Sequence, residues 1–458
     1  MSPDAAAETR KYGRSASLLT AAVGLAGLLT YLFFALLSHS LTGADYGAVV
    51  VIWSAVYITS STFFRPIEQL LARALAELEQ RPGEPQDRVL RVAGRVQLGL
   101  VALVLALALA LRDPISDGLL ESETALYALL LVALLGFGAA FFARGLLAGK
   151  RNVRGYAALV LLESAVRIVF ALAIAIGVSD DPAVAAAGVA AAPIVSLIVL
   201  PFALRRAARA GAPGAGPVGP EGPEFTLSAG GTFAACVLVI MLGEQLLVNS
   251  GVLFVRAAEG AAEAGFMFNV LMLVRAPLVL FLAVAASLLP HLSKLRARGG
   301  PGDAEAFRGA VRQTLMVVGA FATAAMAGVL VAGPQVMELA FGGSYEYDRL
   351  GLAIVAGGLG FYLAASTLSQ ATLAQGQARR AAACWALCSG GFVLWNVVGF
   401  GGLEEVRQVE VGFSAAAALL CGLLYAVYRQ PHARSEDTIE PGSPRDLEVG
   451  LATADEVA

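Results

Sequence analysis

GFMFNVLMLVRAPLVLFLAVAASLLPHLSK, residues Gly265–Lys294, is apolar over the length of a bilayer crossing. Inside it sit Arg275 and Pro277, and it closes on Pro290 and His291. A helix rises about 1.5 Å per residue, so Arg275, some ten residues in, lies ~15 Å deep in a hydrocarbon core about 30 Å thick. An unpaired cation at that depth costs at least ~2.5–3.5 kcal/mol. No carboxylate lies within a helical turn of it along the segment. Compensation must come from another helix, for which Glu244 in the preceding span is the natural candidate, or from an anion in a water-filled cavity.

The rest of the chain supports a membrane setting. It has 458 residues, of which 58% are hydrophobic and only 15% charged, and its mean hydropathy is +0.73. Soluble domains carry about 25% charged residues, so an all-α integral membrane protein is expected. Met1–Lys11 is polar and the first apolar run is long enough to span, so no cleavable signal is read. About twelve spans follow from the apolar runs: 15–38, 46–70, 93–112, 125–147, 155–178, 183–204, 229–254, 264–290, 311–332, 349–373, 383–401 and 411–428. The loop cations fall on alternate loops, with only Arg112, Arg256, Arg349 and Arg407 on the intervening ones. Both termini are therefore expected in the cytoplasm. The opposite loops are acidic, with Asp113, Glu121, Asp348 and Glu405 among them, and read as solvated surface.

Residues 205–228 are rich in Pro and Gly and read as a cytoplasmic linker between two lobes, 1–204 and 229–428, with a disordered cytoplasmic tail at 429–458. The lobes resemble copies of each other. Ala44-Asp45-Tyr46-Gly47 opens span 2 and Ala262-Glu263-Ala264-Gly265 opens span 8, while ARGLLAGKRNVRGYA (143–157) and SQATLAQGQARRAAA (369–383) close spans 4 and 10. Six spans per copy leave the two copies in the same orientation, related by an axis along the membrane normal.

Polar residues within the spans are the candidate functional groups. Arg65 precedes Pro66 in FFRPIEQ, where a kink is expected, and Glu68 and Gln69 follow. Arg95 and Arg144 are placed where they can snorkel to the interface. Glu163 and Arg167, four apart, share a helical face and are expected to neutralise each other as a structural or coupling pair. Glu244, Gln245 and Asn249 lie in span 7, and Asn269 and Arg275 in span 8.

Other chemistries lack their residues. No Walker A loop, HExxH or metal-ligand cluster occurs, so neither a cofactor nor a metal is expected. Cys236, Cys384, Cys388 and Cys421 lie in apolar runs and read as packing residues. His39, His291 and His432 lie at interfaces or in the tail, which disfavours a buried histidine proton relay. No extramembrane segment is large enough for a catalytic domain, so neither an enzyme nor a nucleic-acid binder is expected.

Several stretches together resemble a known family. They are LTGADYG (41–47), RGLLAGKRNVRGYAALVLLESAVRI (144–168), LVNSGVLFVRAAEGAAEAGFMFNVLMLVRAPLVLFLAVAASLLPHLSKL (247–295) and LAFGGSYEYDRLGLAIVAGGLGFYLAASTLSQATLAQGQARRA (339–381). From Tyr12 to Tyr428 the chain looks like a polysaccharide or lipid-linked oligosaccharide flippase of the multidrug/oligosaccharidyl-lipid/polysaccharide (MOP) exporter superfamily. That resemblance implies a MATE-like pair of six-helix lobes around a cavity lined by spans 1, 2, 7 and 8. It would place Arg65, Glu244, Asn249, Asn269 and Arg275 at or near the cavity, with cations receiving a polyprenyl diphosphate. A guanidinium matches phosphate geometry independently of any family.

The expected function is flipping of a polyprenyl-diphosphate-linked oligosaccharide across the bacterial cytoplasmic membrane. Membrane lipids, a glycan polymerase or glycosyltransferases are the expected partners, and coupling to a proton or sodium gradient is left open. The alternatives are a cation-coupled multidrug exporter of the same superfamily, whose cavity should be acidic, and a non-transport scaffold in envelope assembly.

Overall fold

The computed structural model describes residues 3–78, 86–209, 227–272, 303–342, 347–399 and 402–430, and among them every regular element is helical. The first half comprises α1 (Pro3–Ser40), α2 (Gly43–Thr59), a π-helical turn (Ser60–Phe64), α3 (Arg65–Leu78), α4 (Gln86–Ala110), α5 (Arg112–Leu119), α6 (Thr124–Gly149), α7 (Val153–Ala175), α8 (Pro182–Ser196) and α9 (Val199–Arg209). In the second half are α10 (Leu227–Ala258), α11 (Ala261–Met272), α12 (Asp303–Phe341), α13 (Arg349–Ala374), α14 (Ala378–Val398) and α15 (Glu405–Arg429).

Among the described residues, 11 helical segments are long and apolar enough to cross a membrane, and each overlaps one expected span, with ends that differ by up to nine residues, as at Phe341 against 332. The protein is a multi-pass membrane protein. The remaining expected span, 264–290, begins as the shorter apolar helix α11. Its continuation, with Arg275, Pro277, Pro290 and His291, lies outside the described residues. So does 210–226 of the expected linker, whose first residues continue α9 through Arg209.

Packing follows two lobes. In the first, α1 lies on α7, α7 and α6 lie on α8, and α3 lies on α6. The second is built around α13, which contacts α12 and α15, with α14 between α10 and α15. The lobes meet along a seam where α10 touches α2, the π-turn and α5, and α1 touches α12. Aromatic side chains fill its middle: Phe34 of α1 contacts Phe268 of α11 at 4.5 Å and Trp53 of α2 at 5.3 Å. Burying rings this large supplies most of the apolar adhesion between elements whose outer faces meet lipid. At the periphery, α12 buries just 6% of its apolar window, which leaves it lipid-facing apart from its contacts with α13 and α1.

The matching openings of α2 and α11 meet each other across this seam. A Cβ on Gly47 would collide with the backbone of Ala261, so only glycine permits that approach. Thr42 caps α2 by accepting the backbone N–H of Asp45 at 3.3 Å.

Candidate functional site

The candidate site starts at the break in the second span. Pro66 has no N–H to continue the helical ladder. Rather than a sharp kink, the chain widens by one residue just upstream, and the Arg65 N–H donates five residues back to the Ser60 carbonyl. Hydroxyls support the widened turn, with Thr59 Oγ1 donating to Ala55 O at 2.8 Å and Ser60 Oγ to Val56 O at 2.6 Å.

Arg65 emerges from this turn exposed, while the opposite face of α3, with Ile67, Leu71 and Leu75, is buried. Tyr57, Glu244, Glu68 and Tyr156 all act on it electrostatically, from α2, α10, α3 and α7. These groups come from both lobes, so the exposed Arg65 lies close to where the lobes meet. Among the described residues no carboxylate lies within ion-pair distance of Arg65.

Behind Arg65 lies a buried charge network. Glu163 of α7 accepts from Arg167 Nη1 at 3.2 Å through one oxygen and pairs with Arg144 of α6 through the other. Arg167 also donates to Ser164 Oγ at 3.1 Å and lies 5.0 Å from the Trp53 ring centre; Arg144 stacks over Phe141 at 4.7 Å. Glu68 accepts from the Tyr156 hydroxyl at 2.8 Å. The i,i+4 spacing does bring Glu163 and Arg167 together, but Arg144 joins them. Snorkelling to the interface, expected for Arg144 from its depth, is not what it does. Once these charges are withdrawn from water, a carboxylate flanked by two guanidiniums offsets part of their desolvation cost. Arg95 is exposed as expected, sharing a surface pocket of about 380 Å³ with Arg88, Arg91 and Val92 at the start of α4.

Across the gap, Glu244 of α10 is half-buried and accepts from the Tyr362 hydroxyl of α13 at 3.0 Å. Asn249 is buried, donating to Gln245 Oε1 at 2.9 Å. Asn269 is fully buried in the seam, where its Oδ1 accepts from the Tyr46 hydroxyl at 2.5 Å and its Nδ2 donates to the Tyr347 hydroxyl at 3.2 Å. Arg275, and any pairing of it with Glu244, lies outside the described residues. Arg65 and Glu244 thus interact electrostatically and keep some exposure, whereas Asn249 and Asn269 are buried in packed interfaces. Cations and carboxylates balance here, Arg65, Arg144 and Arg167 against Glu68, Glu163 and Glu244. Tyr156 and Tyr362 were not visible as participants, because a tyrosine within a span is indistinguishable from an ordinary packing aromatic until its partner is known.

This backbone is shared with solved proteins. An inward-facing MATE family multidrug resistance transporter of the MOP superfamily superposes with a TM-score of 0.63 at 16% identity, covering 88% of this chain and 94% of that one. The lipid II flippase MurJ in an inward closed conformation gives 0.63 at 14% identity over 90% of this chain and 88% of that one. An outward-facing MATE transporter gives 0.62 at 15% identity, covering 91% and 94%. The fold is MATE-like. By sequence, the chain is 27% identical over 429 residues, 91% of each chain, to "Uncharacterized protein Rv3630" of Mycobacterium tuberculosis and, at the same identity and coverage, to "Uncharacterized protein Mb3654" of Mycobacterium bovis. No protein-family model matches it.

Proposed function

We propose that this chain is an alternating-access transporter of the MOP superfamily, and specifically a flippase for a polyprenyl-diphosphate-linked oligosaccharide. One observation carries this reading: Arg65, an exposed guanidinium without an ion-pair partner among the described residues, lies near charged and polar groups of both lobes of a MATE-like fold. A guanidinium presents paired donors to a phosphate and gains most where water is scarce. The Arg144–Glu163–Arg167 network behind it places two more guanidiniums close by, one of them neutralised by Glu163. Arg275, by its depth in the sequence, would be a second phosphate contact nearer mid-membrane. The protein would act in the bacterial cytoplasmic membrane, termini in the cytoplasm, handing its product to glycan-polymerising enzymes. A proton or sodium gradient would couple the cycle.

Translocation of a fluorescent polyprenyl-diphosphate glycan in proteoliposomes tests this. Arg65→Ala should slow it by at least roughly tenfold, the weight of one charge-assisted contact, and Arg65→Lys should restore it only in part. A second reading, export of organic cations, draws on Glu244 and Glu68 beside Arg65. Unchanged glycan flipping in both Arg65 variants, with cation export lost in Glu244→Gln, would sink the flippase and leave the exporter standing.

A further inference from the structure

Arg256 ends α10 and was grouped by sequence with the sparse cations of the acidic loops, but it is not a loop-surface residue: only 7% of it is exposed. Its Nε donates to the Leu119 carbonyl at 2.8 Å and its Nη2 to Glu121 Oε1 at 2.9 Å. Both acceptors belong to the other lobe: Leu119 is the last residue of α5 and Glu121 lies in the turn between α5 and α6. Among the described residues this is the one ion pair joining the lobes.

The turn that offers these acceptors is conformationally unusual. Glu121 and Ser122 are consecutive non-glycine residues with φ of +55° and +64°. Such backbone persists only when its surroundings over-determine it. Here the Ser122 N–H donates to Ser116 O at 2.8 Å and its hydroxyl to Asp117 Oδ1 at 2.8 Å, while Leu120 is buried beneath. The result aims one carbonyl and one carboxylate across the seam at a single guanidinium.

The two partners differ in solvation. The Glu121 side chain is 64% exposed, that of Arg256 6%. If the turn lets go, Glu121 stays hydrated, but Arg256 is left a buried cation unless the lobes part and admit water. The guanidinium is thus satisfied in two arrangements, clamped with the seam shut or hydrated with it open, and is poorly satisfied between them. Switching elements have this two-state character. Two other polar contacts between the lobes among the described residues are neutral: Tyr46 to Asn269, and Ser38 Oγ to Phe341 O at 2.5 Å.

We propose that Arg256, clamped on Leu119 and Glu121, is the latch that holds the lobes together at the non-cytoplasmic end. The assignment rests on the alternating-access reading above, for which that end is the exit. It is tested on the full-length protein with its four cysteines replaced by alanine, carrying spin labels at Gly118→Cys and Ala258→Cys, both exposed and on opposite sides of the clamp. Without the replacement at Arg256, the interspin distance distribution should show one short population. Arg256→Ala should raise the ratio of long to short distances roughly tenfold, as expected for losing hydrogen bonds to a charged group. Arg256→Lys, unable to serve two acceptors in fork geometry, and Glu121→Gln should lie between. A distribution unchanged by Arg256→Ala overturns the latch; should that variant fail to fold, an unchanged distribution in Arg256→Lys does so. Because the distances are read without substrate, the two proposals fail separately. Wider distances with no glycan flipping in the unmutated protein overturn the flippase and keep the latch, whereas normal flipping with unchanged distances removes the latch alone.

Discussion

Tyr46 of α2 donates its hydroxyl to Oδ1 of Asn269 of α11 at 2.5 Å, so a fully buried amide is satisfied by a residue from the opposite lobe. Asn269 passes the link on to Tyr347 at 3.2 Å. Tyr46→Phe keeps the ring but strands the amide oxygen, which costs about 1–3 kcal/mol when buried. The expected outcome is a lower melting temperature in detergent, with more modification of a cysteine placed in the seam. Loss of the seam contact with unchanged melting would show that the amide finds another donor.

Glu163 serves two buried arginines, so removing it should be worse than removing either of them. Glu163→Ala leaves Arg144 and Arg167 unpaired, and orphaning even one buried charge costs about 3–5 kcal/mol. Arg144→Met, by contrast, leaves Glu163 still paired with Arg167. Thermal stability of fluorescent-protein fusions by size exclusion should rank unmutated, then Arg144→Met, then Glu163→Ala. The reverse order would mean that Arg144 holds the network together.

Two glycines should respond in opposite directions to a methyl group. Gly47→Ala drives its Cβ into the Ala261 backbone, and overpacking of this kind typically costs about 1–3 kcal/mol. Gly24 of α1 has nothing within 4 Å of the same position, so Gly24→Ala should stabilise by roughly 0.5–1 kcal/mol through helix propensity. Melting temperatures of the two variants, measured together, check both signs.

Asp348 caps α13 by accepting from Leu350 N at 3.2 Å and Gly351 N at 3.1 Å, and it takes a charge-assisted hydrogen bond from Arg407 at 2.5 Å. The Arg407 hydrogen bond, with help from those two backbone N–H groups, holds the Asp348 carboxyl below its usual range. A carboxyl depressed by folding contributes stability that is complete above its unfolded value of about 3.9 and is lost as pH falls through the folded value. Stability of the unmutated protein should therefore decline below about pH 4 more steeply than that of Asp348→Asn. At neutral pH, Asp348→Ala should cost about 1 kcal/mol from the lost cap. Parallel pH-dependent melts of the unmutated protein and Asp348→Asn decide this, and identical acid slopes would exclude Asp348 as a contributor.

Much of the fold could be read directly because bilayer crossing depends on length and hydropathy, which are one-dimensional properties. Eleven of the spans between 15–38 and 411–428 could be placed without knowing their neighbours, and the α11 start was visible through its likeness to the α2 start. Arg65 stood out because a cation beside a proline is anomalous in an apolar run. The wider helical turn before it was not foreseen, since missing one N–H permits either a kink or an inserted residue, and packing of α3 on α6 and α2 on α10 chooses between them.

What sequence alone determined was position along the spans: which polar groups fall inside apolar helices, and how far along each one. Azimuth and partner were decided only by the tertiary structure. Arg144 and Arg256 show the difference, one placed by depth at an interface and the other in a solvated loop, yet the first pairs half-buried with Glu163 of α7 and the second is buried against Glu121 in the turn after α5. A side chain's solvation is set by what stands beside it across a seam, and residues such as Glu121 and Arg256, more than a hundred positions apart, acquire that relation only when the lobes close on each other.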